Sequence, residues 1–108
     1  MAARWSKREA KTLAHFMIRA LDKPDSTSLR AATRPDHLAY LTAFEAQIVA
    51  AGAMLDPVAH TPLGSLLVVD MADAEAVRAF MAGDPYAKAG LFQSVEVLPW
   101  RKVYPKEA

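Results

Sequence analysis

Two stretches of this chain are apolar on both faces of an extended backbone, and they limit its folds more than any other feature. In residues 13–21, LAHFMIRAL, one face carries Leu13, His15, Met17, Arg19 and Leu21. The other carries Ala14, Phe16, Ile18 and Ala20. Residues 65–71, SLLVVDM, read the same way. Side chains alternate along a strand, so a strand apolar on both sides must be covered on both sides. These two stretches are expected at the centre of a sheet.

The remaining elements follow from local signals. Turn chemistry at Asp22-Lys23-Pro24-Asp25-Ser26 ends the first strand, and residues 27–32 suit a single helical turn. A main helix is expected from about Thr33 to Ala51, with Thr33 as N-cap, Pro35 in the first turn and Gly52 as the C′ residue. A short strand over 53–55 and a Pro- and Gly-containing hairpin loop over 56–64 lead into the strand at 65–71. Asp73 caps a second helix running to about Ala82, with Ala76, Val77, Phe80 and Met81 as its apolar stripe. Gly83-Asp84-Pro85-Tyr86 breaks it, and one more helical turn ends at Gly90. Residues 92–98, FQSVEVL, alternate as a last strand.

The order is β-α-β-β-α-β, the α+β ferredoxin-like arrangement, with both helices on one face of a four-stranded antiparallel sheet. The other sheet face would stand open although its central strands are apolar there. Large apolar patches are rare on monomers. A homodimer packed through the bare sheet faces is therefore expected, burying on the order of 800 Å² per partner.

Composition narrows the function. With 108 residues the chain fits one domain. The expected division is a basic arm at 1–11, a domain at 12–103 and a tail at 104–108. The arm reads either as a plain terminus or as the remnant of an organellar targeting peptide. A net charge of +1 argues against nucleic acid as a partner. Without cysteine, thiol catalysis and Cys-based zinc sites are excluded. No apolar run reaches a membrane span, and a cytoplasmic location is expected. The three histidines lack a metal-binding spacing, and there is no Gly-rich phosphate loop or G-x-S-x-G elbow, so neither metal nor cofactor is expected.

Strand directions supply a candidate site. With the first strand running up, the first helix starts at the top and the second helix ends there. His37 and Asp84 thus fall at one end of the fold despite their distance in sequence. A carboxylate beside an imidazole fixes its tautomer and orientation, as in an oriented general base. Arg30, Arg34 and Tyr86 lie near the same mouth, where arginines can hold the charge of a small anionic substrate. A plainer reading stands beside this one: His37 satisfies a structural hydrogen bond, and Asp84 caps the turn at Pro85. His15 is either a polar interface residue with Arg19 or part of a pocket, and His60 sits in a solvated loop.

The ordered set of short blocks resembles the YCII-related (YciI-like) family. The blocks are Asp22-Lys23-Pro24, Leu29-Arg30, Arg34-Pro35-x-His37-Leu38-x-Tyr40-Leu41, Ala51-Gly52, Gly64-Ser65, Asp84-Pro85-Tyr86-x-x-Ala89-Gly90-Leu91-Phe92, Val95-Glu96-Val97 and Pro99-Trp100-Arg101. The resemblance implies a ferredoxin-like fold, a dimer of the dimeric α/β-barrel type, and a His–Asp active-site pair at His37 and Asp84. Some relatives act in aromatic degradation, including dehydrochlorination of a chlorinated hydroquinone, and the superfamily includes muconolactone isomerase. The expectation is a small cofactor-free lyase or isomerase acting on an anionic, phenolic substrate. The alternative is a non-enzymatic dimeric ligand-binding or interaction module.

Overall fold

The computed structural model describes residues 14–106. The basic arm at 1–11 and Leu13 lie outside the described residues. Strand β1 spans His15–Asp22, helix α1 Thr27–Ala43, and strand β2 Ile48–Leu55 after a 3₁₀ turn at Glu45–Gln47. Strand β3 spans Pro62–Asp70, helix α2 Ala74–Gly83, helix α3 Pro85–Lys88 and strand β4 Phe92–Pro99. The four strands form one sheet in the order β2-β3-β1-β4, every neighbouring pair antiparallel. This is the ferredoxin-like α+β fold, with β1 and β3 at the centre.

The two faces of the sheet differ sharply. Phe16, Ile18 and Ala20 of β1 and Leu67 and Val69 of β3 point toward the helices and are buried with Val77, Phe80 and Met81 of α2. Fully burying the larger of these side chains stabilises by about 1.5–3 kcal/mol each, and Ala20 by less. On the opposite face Leu66 and Leu98 remain exposed and Met17 and Val68 half-buried. Arg19 and Glu96 pair there across β1 and β4 at 3.4 Å. Among the described residues no helix is long and apolar enough to cross a membrane.

Two helix boundaries differ from the sequence expectation. Helix α1 starts at Thr27 rather than Thr33 and ends at Ala43 rather than Ala51. Thr33 is therefore no N-cap; its Oγ1 donates to the Leu29 carbonyl inside the helix. Pro35 lies mid-helix, where its missing N–H leaves the Ala31 carbonyl without its usual helical donor. Pro35 is exposed, so water can serve that carbonyl. The good helix formers Leu29, Arg30, Ala31 and Ala32 ahead of it outweigh its boundary signal. At the far end, Gly52 is not a C′ residue but pairs with Leu66 within the sheet. The run IVAAGAML carries no helix breaker before Gly52, and the ladder it forms with β3 decides its state.

The second half follows the sequence closely. Asp73 caps α2, its side chain accepting from the Ala76 N–H at 2.8 Å. Gly90, at φ +77°, takes the left-handed conformation that lets the chain leave α3 and enter β4.

Candidate active site

The site grows from helix α1. Its face carrying Ala31, Arg34, His37, Leu38 and Leu41 closes one side of a cleft of about 380 Å³. Ala51, Gly52 and Ala53 of β2 with Ser65 and Leu67 of β3 form its floor, and Tyr86 of α3 completes it. His37 lies ten residues past the helix start, Thr27, not in the first turn. It still meets Asp84, the residue that caps α3, because α3 packs against α1.

Asp84 holds two groups at once. The His37 Nδ1 lies 2.9 Å from its Oδ1 and 3.1 Å from its Oδ2. Its Oδ1 also accepts from the Tyr86 N–H at 2.9 Å, so Asp84 caps α3 as well. The plain reading of Asp84 as a cap and its pairing with His37 are thus compatible. Asp84 is completely buried and His37 nearly so. A carboxylate only accepts, which puts the shared hydrogen on Nδ1 and leaves Nε2 as the basic nitrogen.

Tyr86 stands in the middle of a stack. Its ring lies parallel to the His37 imidazole at 3.9 Å between centroids and 16° between planes. The Arg30 guanidinium lies over the same ring at 4.7 Å. Burial pushes the Tyr86 hydroxyl above its usual pKa of 10.0, against the opposing pull of Arg30 and Arg34. The hydroxyl therefore keeps its proton at neutral pH. Behind His37, Tyr40 donates to the Phe80 carbonyl at 2.9 Å, and burial, with the Asp84 charge, raises its pKa too.

The two arginines differ in state. Arg30 is buried: its Nη1 donates to both oxygens of Asp22 at 2.9 and 2.8 Å, and its Nη2 to the Ser65 Oγ at 2.7 Å. Arg34 lines the cleft from an exposed position. The sequence alone does not single out Asp22 or Ser65 as site residues. The available signal was Ser65, a small polar residue on the same strand face as Leu67 and Val69. His15 sits elsewhere, in a hollow with Trp100, their rings edge to face at 6.1 Å. His60 is exposed in the β2–β3 hairpin, and no group of metal-ligating side chains occurs among the described residues.

The YCII-related domain matches residues 14–101. The chain belongs to the YCII-related family. Protein YciI of Escherichia coli O6:H1 is 36% identical over 96 residues, covering 82% of this chain and 98% of that protein. An uncharacterized protein of Haemophilus influenzae is 32% identical over 97 residues, covering 83% and 99%. Among solved structures, the 5-chloro-2-hydroxyhydroquinone dehydrochlorinase TftG of Burkholderia phenoliruptrix AC1100, in complex with 2,5-dihydroxybenzoquinone, superposes with a TM-score of 0.79 at 30% identity. That match covers 86% of this chain and 99% of the dehydrochlorinase. SnoaB, a cofactor-independent oxygenase of Streptomyces nogalater, shares the fold with a TM-score of 0.52 at 16% identity, covering 88% and 99%.

Proposed function

We propose that this YCII-related protein is a small cofactor-free enzyme of the lyase or isomerase kind. His37 removes and relays a proton on a small, anionic, phenolic ring. The observation that carries this reading is the Asp84–His37 hydrogen bond behind an open cleft, which holds Nδ1 protonated and leaves Nε2 as the base. Asp84 is a positioning residue that fixes ring and tautomer. Arg34, at the exposed side of the cleft, binds the substrate's negative charge. Tyr86 offers its neutral hydroxyl and stacks on the imidazole, and Arg30 holds the site together through Asp22 and Ser65.

The similarity to TftG supports dehydrochlorination as the first reaction to try. On a chlorinated hydroxyhydroquinone, Nε2 takes one hydroxyl proton and returns it to the chlorine-bearing carbon, so that a carbonyl forms. Removal of a second hydroxyl proton forms another carbonyl and expels chloride. The sum is loss of HCl to a hydroxybenzoquinone, with no oxidant or reductant consumed. An oriented base of this kind contributes on the order of 10²–10⁴ in rate.

The ligand side is tested by thermal shift, with phenolic and dicarboxylic acids offered to the wild type and to His37→Ala. Stabilisation of the wild type that weakens in His37→Ala supports the reading. Equal stabilisation of both proteins favours a binding module instead. We also propose that the protein works as a homodimer through the open sheet face, where Leu66 and Leu98 are exposed.

A further inference from the structure

We propose that Ser65 is a specificity-determining hydrogen-bond donor, which reads an acceptor oxygen on the ring bound in the cleft. Ser65 points from β3 to the helix side, is 3% exposed, and lines the cleft with Arg34, His37 and Tyr86. Its Oγ lies 2.7 Å from the Arg30 Nη2. A guanidinium has only donors, so Ser65 must accept there. Arg30 cannot turn the relation round, because Asp22 engages its Nη1 and the Tyr86 ring lies under its plane at 4.7 Å. The hydroxyl hydrogen of Ser65 is what remains, and among the described residues Ser65 Oγ takes part in no side-chain hydrogen bond other than the one it accepts from Arg30.

Buried donors in folded proteins find partners. Here the partner must come from the cleft's contents, and it must be an acceptor: a phenol or phenolate oxygen, a carbonyl or a carboxylate. A ring amine in the same place is a poor acceptor, because its nitrogen lone pair is drawn into the ring. A site built around such a hydroxyl therefore discriminates ring oxygen from ring nitrogen, over and above any charge selected by Arg34. In this arrangement Arg30 is a positioning residue for Ser65. The inference rests on the cleft being the substrate site, as proposed above.

The test compares hydroquinone with 1,4-diaminobenzene, a pair alike in shape whose ring oxygens are replaced by nitrogens. Dissociation constants are measured anaerobically by equilibrium dialysis for the wild type, Ser65→Ala, Ser65→Cys, Ser65→Thr and His37→Ala. The wild type should prefer hydroquinone by about ten-fold or more, the scale of one well-made hydrogen bond. Ser65→Ala should bring that ratio close to one, and Ser65→Thr should keep it within about three-fold of wild type. The ratio is taken within each protein, so a general loss of stability cancels. Ser65→Cys keeps the side-chain shape but donates weakly, and it should show the same collapse even if the alanine variant does not fold. An unchanged ratio in the alanine or cysteine variant overturns the proposal, as does a wild type that binds neither ring or shows no preference. Chloride release from 5-chloro-2-hydroxyhydroquinone is followed as turnover beside it: a collapse in Ser65→Ala, together with turnover that survives His37→Ala, would uphold Ser65 and reject His37 as the base. Turnover lost in His37→Ala with the ratio intact in Ser65→Ala would do the reverse.

Discussion

Asp84 satisfies the Tyr86 N–H at the start of α3 and the His37 ring from 47 residues away. Truncation to Ala leaves both donors without their acceptor in a buried site. Asp84→Ala should therefore lower stability by about 2–4 kcal/mol, read from denaturant midpoints. Asp84→Asn keeps one carbonyl oxygen for the Tyr86 N–H but presents N–H groups as well. Its stability loss should be smaller, about 1–2 kcal/mol. The tautomer separates the two roles. In the wild type, long-range proton–nitrogen NMR should find the His37 hydrogen on Nδ1, and in Asp84→Asn it should redistribute. A wild-type ring protonated on Nε2 alone would remove Asp84 as the orienting group.

At the scale of elements, α1, α2 and α3 meet around Tyr40 and Gly83. A Cβ placed on Gly83 would lie 2.5 Å from the Tyr40 hydroxyl oxygen, which is committed to the Phe80 carbonyl. The Tyr40 ring also packs against Phe44 and Phe80, with centroids at 4.9 and 5.6 Å. Gly83→Ala should cost about 1–3 kcal/mol as an overpacking change, and thermal unfolding should show it. Because Gly83 immediately precedes Asp84, the variant should also lower activity more than its stability loss explains. Unchanged stability would mean that Tyr40 gives way freely. The element boundaries themselves were only partly legible. Pro35 carries the signature of a helix start, yet it lies inside α1, because the residues before it favour helix strongly. The run from Ile48 to Leu55 is apolar enough for either state, and only pairing with β3 decides it.

The site was more legible than the helix that carries it. His37 stays on the cleft side of α1 wherever that helix begins, since the 3.6-residue period is unaffected by its ends. Asp84 was found from strand directions alone. Asp22 and Ser65 were not, because the one local sign, a small polar residue at Ser65 on the core face of its strand, names no partner: Arg30 binds partners 8 and 35 residues away that only the finished sheet brings together.

For the whole molecule, β1 and β3 are apolar on both faces, and the helices cover only one of them. Leu66 and Leu98 are 42% and 45% exposed on the other. Packing this face against its copy would cover them and leave the cleft on the helix side open. Sedimentation should give a dimer for the wild type and a monomer for Leu66→Arg, since a buried unpaired charge opposes association. A wild-type monomer, or a Leu66→Arg dimer of unchanged affinity, would contradict this arrangement.

If His37 is the base, its loss must show in chloride release from 5-chloro-2-hydroxyhydroquinone, comparing the wild type with His37→Gln. The wild type should release chloride, and kcat in the variant should fall by about 10²–10⁴, with KM within about three-fold. Chloride release by His37→Gln at the wild-type rate, or none from the wild type, would contradict that role.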